Sequence, residues 1–136
     1  MKTKHILGLL STVIFLLWGC YKDIGPIEKD GDVTIDEEVS FSQDVQPLFD
    51  NYCVSCHPPS GNLDLRQGYS YDALVNVPAS GYDGVLVVPG NAEASVLYKK
   101  VDGSGAYGAN MPLGGSLSAG QIATIREWIN QGAKNN

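Results

Sequence analysis

Two of the three cysteines and one of the two histidines of the chain lie in one five-residue segment, Cys53-Val54-Ser55-Cys56-His57. On a helical turn, positions i, i+3 and i+4 lie on the same face. Cys53 and Cys56 can then form thioethers with the two vinyl groups of a porphyrin, while the His57 imidazole points at the iron. The order C-x-x-C-H is typical of c-type haem attachment. We therefore predict that Cys53, Cys56 and His57 bind one covalently attached haem c.

Three other interpretations of the same residues are weaker. A thioredoxin-like C-x-x-C motif requires a βαβ pattern, which the sequence lacks. A structural zinc site needs four ligands, and one cysteine pair with one histidine leaves that set incomplete. A disulfide between Cys53 and Cys56 would suit an oxidising compartment, but it gives His57 no role. Haem attachment is favoured over all three.

A second axial ligand follows by elimination. The sequence holds only two histidines and two methionines. Of these, His5 and Met1 belong to a predicted signal peptide and would be removed with it. Met111 is then the one thioether of the mature chain, in a turn-like, glycine-rich segment before the last predicted helix. We expect His57 and Met111 to be the iron ligands, with a lysine or an open position as the alternatives.

The N-terminus has the pattern of an export signal. Lys2 and Lys4 precede a largely apolar run over residues 6–18, which is shorter than the ~20 residues a spanning helix requires. The run ends at Leu17-Trp18-Gly19-Cys20, which resembles a bacterial lipobox. We expect residues 1–19 to be the signal peptide and Cys20 to be lipidated. An uncleaved signal anchor is the alternative, and either places the chain outside the cytoplasm, on the periplasmic side or the outer-membrane surface.

Composition divides the remaining chain into a spacer and one domain. Residues 21–40 carry seven acids and two bases with no sustained apolar periodicity, so residues 20–40 are expected to form an acidic, flexible linker. Residues 41–136 are enough for a single domain. The net charge is −6, and the chain has no basic stretch, which argues against nucleic acid as a partner.

Apolar spacing predicts helices at both ends of this domain. One stripe lies on an amphipathic helix that starts near Asp44, with Pro47 in its first turn. Ser118 and Gln121 form a capping box for the last helix, and Gly132 is placed to end it. Shorter helices are expected at residues 70–75 and 93–101. The stretch 58–116 holds ten of the sixteen glycines, which predicts a loop-rich middle in an all-α domain.

Residues 41–136 as a whole resemble a class I cytochrome c domain, and more closely the cytochrome c-like domains common in Planctomycetes and Bacteroidota. Besides CVSCH, the resemblance is carried by Val45-Gln46-Pro47-Leu48-Phe49, Leu63-Asp64-Leu65, Val88-Pro89-Gly90, Ser95-Val96-Leu97-Tyr98, Met111-Pro112 and Glu127-Trp128-Ile129-Asn130-Gln131-Gly132-Ala133. The resemblance implies an all-α cytochrome c fold with crossed first and last helices, His/Met iron and electron transfer. It makes Phe49 and Trp128 candidates for the helix crossing.

The expected function follows from the iron coordination. With His57 and Met111 both bound, no position is open for oxygen, peroxide or substrate. The sequence therefore predicts a membrane-tethered electron carrier, not an enzyme, that passes single electrons between a redox protein donor and an acceptor. The alternatives are a haem-based ligand-binding or peroxidatic protein and a non-catalytic haem subunit of a larger complex. Arg66 is a weaker candidate for pairing with a haem propionate.

The lipid anchor is tested by Cys20→Ser. Acyl chains contribute about 0.8 kcal/mol per buried CH₂ to membrane binding, so the wild type should stay on membranes through salt washing. The Ser variant should incorporate no labelled fatty acid. Equal incorporation of label into both proteins would show that Cys20 is not the lipidated residue.

Overall fold

The computed structural model describes residues 27–29, 32–58 and 60–136, and the predicted signal peptide and Cys20 lie outside them. The described chain is mostly helical with little strand, which is compatible with the predicted all-α class. No helix within these residues is both long enough and apolar enough to cross a membrane. Its elements are β1 (Ile27–Lys29), β2 (Asp32–Thr34), a π-helical turn (Phe41–Val45), α1 (Gln46–Tyr52), a 3-10 turn (Ser60–Asn62), α2 (Ser70–Leu74), α3 (Val96–Val101) and α4 (Ala119–Asn130).

The first helical segment begins earlier than its apolar stripe predicts. It starts at Phe41 with the π-helical turn, rather than near Asp44, and continues directly into α1. The cause is a reciprocal cap: Gln43 N–H donates to Ser40 Oγ (3.3 Å), and Ser40 N–H donates to Asp44 Oδ2 (2.7 Å). These contacts satisfy donors at the start of the helical segment. Pro47 lies in the first turn of α1, as predicted.

Both predicted ends of the last helix are confirmed. Gln121 N–H donates to Ser118 Oγ (3.3 Å), and Ser118 N–H donates to Gln121 Oε1 (2.8 Å), which completes the capping box. Helix α4 ends at Asn130, and Gly132 follows with φ +100°, a left-handed conformation that favours glycine. The beginning and end of α4 are therefore local properties of the sequence.

The two short helices lie where they were expected, but α3 begins later than residue 93. Ser95 is buried, and its hydroxyl donates to Asn91 O (2.8 Å) and accepts from Val88 N–H (2.9 Å). These bonds hold residues 88–95 in a turn instead of a helical start. The delay of α3 therefore has a local hydrogen-bonding cause.

The core joins the two ends of the domain through one aromatic ring. Phe49 and Trp128 are both fully buried, as the predicted helix crossing required. The ring between them is Phe41, whose centroid lies 5.0 Å from that of Trp128 and 6.2 Å from that of Phe49. Tyr71 of α2 adds an edge contact to Phe41 at 5.3 Å. The π-helical turn rather than α1 itself thus supplies the ring that links the segments.

The residues after α4 form hydrogen bonds with the segment around Phe41. Asn136 O accepts from Ser42 N–H (2.9 Å), and Asn136 Oδ1 accepts from Phe41 N–H (2.8 Å). Trp128 Nε1–H donates to Lys134 O at 2.9 Å, which satisfies the buried indole. The chain after α4 therefore caps the beginning of the first helical segment.

Part of the expected flexible linker is ordered against α4. Strands β1 and β2 pair antiparallel, and Val33 and Val39 are buried. Arg126 donates to Val33 O (2.8 Å), and Gln131 Oε1 accepts from Val39 N–H (2.8 Å). Within the predicted linker, Val33 and Val39 thus contact α4, which supplies apolar surface and hydrogen bonds that the acidic composition does not reveal.

Phe41→Ala should lower the free energy of unfolding by about 3–5 kcal/mol, because it removes a buried aromatic ring from this corner. Tyr69→Ala is the matched control, since the Tyr69 side chain is exposed, and its cost should stay below about 1 kcal/mol. Denaturant titration of the two variants and the wild type provides the measurement. Equal losses in the two variants would mean that Phe41 does not link the helical segments.

Candidate haem-binding site

The cysteine pair and His57 lie on one helical turn directly after α1. Cys53 N–H donates to Phe49 O at 2.8 Å, which extends the helical bonding beyond Tyr52. Cys56 N–H and His57 N–H both donate to Cys53 O at 3.0 Å. This is the i, i+3, i+4 arrangement that the motif predicts. The buried Phe49 ring lies one turn earlier and anchors the segment in the core.

The two thiols have different surroundings. Both are free; Cys53 is half-buried, whereas Cys56 is exposed. Burial, and secondarily the nearby Cys56, raises the pKa of Cys53 to about 11. Redox-active C-x-x-C thiols depend on a lowered pKa that populates the thiolate. Burial shifts the pKa of Cys53 in the opposite direction, which disfavours its thiolate.

The imidazole of His57 has a nitrogen without a protein partner. Its Nδ1 is buried and makes no hydrogen bond with any described residue. A buried polar atom left unpaired costs free energy, and native interiors rarely leave one so. A Cβ on residue 61 would lie only 3.7 Å from His57 Cε1, so the backbone of Gly61 passes close to the ring. Metal-binding histidines usually donate the N–H of their second ring nitrogen to an acceptor, and the described residues supply no such acceptor to Nδ1.

The two thiols and one imidazole of this turn suit a metal that needs few protein ligands. Within residues 32–58 and 60–136, no group of three or more His, Cys, Asp and Glu side chains could hold a metal ion. In haem the porphyrin supplies four nitrogen ligands, and the protein adds only axial ones. The residues present at this turn therefore fit haem c and do not complete a zinc site.

Met111 lies in the loop between α3 and α4. Its side chain is half-buried and packs against the same hydrophobic core as Cys53 and Val54. Its N–H donates to Lys100 O at 2.7 Å, which fastens the methionine to the end of α3. Met111 and Cys53, which are 58 positions apart in the sequence, therefore both border the hydrophobic core.

Two polar contacts that support the site were missed at the sequence level. Gln121 Nε2 donates to Tyr52 Oη at 2.9 Å, which links the residue before Cys53 to the first turn of α4. Gln46 is buried and donates to Leu65 O at 3.1 Å, while its own carbonyl accepts from Ser70 Oγ. A polar residue at a helix start gives no signal of such distant partners, so neither contact was predictable.

The other cations of the region are engaged elsewhere. Arg66, the candidate for a propionate, pairs with Asp64 through Nη2 at 2.6 Å and lies over the Tyr69 ring at 5.3 Å. Lys99 pairs with Glu93 and Asp102 on the surface. These ammonium and guanidinium groups therefore have protein partners, which disfavours Lys99 as an iron ligand and Arg66 as a dedicated propionate donor.

Comparisons of the chain with protein-family models, with curated proteins and with solved structures found no match in any of the three.

Replacing both thiols tests haem attachment. Each cysteine would supply one thioether, so the Cys53→Ala, Cys56→Ala double variant should retain no haem after denaturation. Ser55→Ala is the matched control, because it changes the same turn without removing a thiol. Haem staining of denaturing gels measures the result. Haem that persists on the double variant, or that is absent from the wild type, would contradict the assignment.

Proposed function

We propose that this chain is a membrane-tethered, monohaem c-type cytochrome that carries single electrons. The observation that carries the proposal is the helical turn from Cys53 to His57, closed by the 3.0 Å bond from His57 N–H to Cys53 O. That turn presents two thiols and an imidazole at the spacing of C-x-x-C-H.

In this proposal each residue of the turn has a distinct role. Cys53 and Cys56 would hold the porphyrin covalently through thioethers, and His57 would bind the iron. The haem supplies a one-electron ferric/ferrous couple when bound. Because Phe49 is buried one turn before Cys53, the attachment point is fixed to the core. A rigid attachment keeps the environment of the redox centre the same in both oxidation states.

Met111 is proposed as the second residue that would bind the iron. A thioether stabilises ferrous iron and raises the potential, whereas a second imidazole would lower it. With both axial positions filled, the chain offers no open position to oxygen, peroxide or a substrate. Electron transfer is therefore favoured over a ligand-binding or peroxidatic function.

The packing of the chain ends supports a cytochrome c fold as part of the proposal. The resemblance implies that the first and last helices cross, and the ring of Phe41 packs against both Trp128 and Phe49. The loop-rich middle and the methionine before α4 follow the same order. We propose this fold as the finer description of the helical domain.

The tether determines where the electron carrier works. If Cys20 is lipidated, residues 20–26 precede the paired strand β1, and a fully extended chain of that length reaches only about 25 Å. The domain would then stay close to the membrane surface outside the cytoplasm. A net charge of −6 favours redox proteins with a basic docking surface as donor and acceptor.

Substitution of Met111 tests the mechanism. Met111→Ala should leave haem attached, because Cys53, Cys56 and His57 are unchanged, but should allow carbon monoxide to bind the ferrous protein. Met111→His should restore six-coordination with a lower midpoint potential. Leu113→Ala is the control, since that exposed side chain lies in the same loop and should change neither property.

Absorbance spectra with and without carbon monoxide, together with redox titration, give the answer. Rapid carbon monoxide binding by the wild type and an unchanged potential in Met111→Ala would show that Met111 is not a ligand. The ligand-binding function would then replace electron transfer.

A further inference from the structure

A single side chain of α3 holds the loop that leads to Met111. The ammonium of Lys100 donates to Ala109 O (2.6 Å), Tyr107 O (3.1 Å) and Tyr82 Oη (3.3 Å). An ammonium has three N–H donors, so these three oxygens match its full hydrogen-bonding capacity. Two of them are backbone carbonyls within four residues of Met111. Hydrogen bonds from a charged donor are stronger than neutral ones.

The same residue holds the methionine through its backbone. Lys100 O accepts from Met111 N–H at 2.7 Å. Both the side chain and the main chain of Lys100 therefore bind the segment 107–111, from the ammonium at one end and the carbonyl at the other. Since Lys100 lies in α3, which packs on the core through Val96 and Val101, the loop is fastened to a fixed element.

Aromatic packing completes the attachment. The ammonium lies 5.1 Å from the centroid of the Tyr82 ring, within the range of a cation–π contact. The rings of Tyr82 and Tyr107 meet edge to face at 5.2 Å. Tyr107 Oη in turn donates to Asp83 O at 3.4 Å. The glycine-rich segment before Met111 is thus tied to α3 and to the loop around Tyr82.

The neighbouring lysine shows that this arrangement is specific. Lys99 has the same side chain on the same helix, but it pairs with the carboxylates of Glu93 and Asp102. Lys99 pairs with two carboxylates, whereas the ammonium of Lys100 bonds to neutral oxygens, two of them in the segment before Met111. A general requirement for positive charge on α3 would not distinguish the two residues.

We propose that Lys100 is a positioning residue that holds the thioether of Met111 in place as an iron ligand. This inference rests on the proposed function, because it assigns to Lys100 the control of a ligand identified there. Without the ammonium, the segment 107–111 would lose the two hydrogen bonds to Tyr107 O and Ala109 O, and its link to Tyr82 would be lost as well. Populations in which Met111 is dissociated would rise, and an external ligand would compete more easily for the position.

The test uses the full-length haem protein with Lys100→Leu, Lys100→Gln and Lys100→Arg, and with Lys99→Leu as the matched control. Two properties are measured: the charge-transfer absorption of thioether-ligated ferric haem, and the dissociation constant of added imidazole. Lys100→Leu should weaken the absorption and tighten apparent imidazole binding by about tenfold or more. Lys100→Gln should have a smaller effect, and Lys100→Arg should restore most of the wild-type behaviour.

The controls distinguish failure of the Lys100 proposal from failure of the proposed function. Lys99→Leu should match the wild type, and hydrogen exchange of the Met111 amide should accelerate only in the Lys100 variants. If Lys100→Leu or, where that variant fails to fold, Lys100→Gln keeps wild-type absorption, imidazole binding and exchange, Lys100 does not position Met111. If the wild type itself lacks thioether ligation and Met111→Ala has its spectrum, both the ligand assignment and the role of Lys100 are wrong.

Discussion

The packing of Phe41 between Trp128 and Phe49 is the contact on which the arrangement of this small domain depends. It joins the first helical segment to the last, and the C-terminal tail reinforces it through the hydrogen bond from Phe41 N–H to Asn136 Oδ1. Burial of large aromatic rings contributes both area-dependent stabilisation and a defined ring geometry. Because α1 continues directly into the C-x-x-C-H turn, the position of Cys53 and His57 depends on that same corner of the core.

From this corner the site is supported in two directions. On the α1 side, the buried amide of Gln46 binds Leu65 O and Ser70 Oγ, and Tyr52 bonds to Gln121 of α4. On the α3 side, Lys100 holds the segment that leads to Met111 through hydrogen bonds to Tyr107 O and Ala109 O. Glycine-rich loops lose much conformational freedom on folding, so the hydrogen bonds from α3 offset part of the cost of ordering this loop.

Acidic residues and buried apolar residues share the segment that precedes the first helical segment. The stretch that composition predicts to be an acidic spacer includes a strand pair whose Val33 is buried against α4. Its acids remain on exposed positions such as Glu37 and Glu38, which explains how one segment can be acidic in composition and still contribute apolar contacts.

The sequence by itself determined the features that depend on neighbouring residues: the C-x-x-C-H turn, the capping box of α4, its end before Gly132 and the helical class. Such features follow from hydrogen bonds and side-chain spacing within a few positions. It also indicated that Phe49 and Trp128 are buried, but not that Phe41 is the ring between them. Only the tertiary structure decided this contact, the docking of Val33 and Val39 on α4, and the bonds of Lys100 to the methionine loop. The local sequence around these residues does not identify their partners, because burial and hydrogen bonding across the core depend on how separate elements pack.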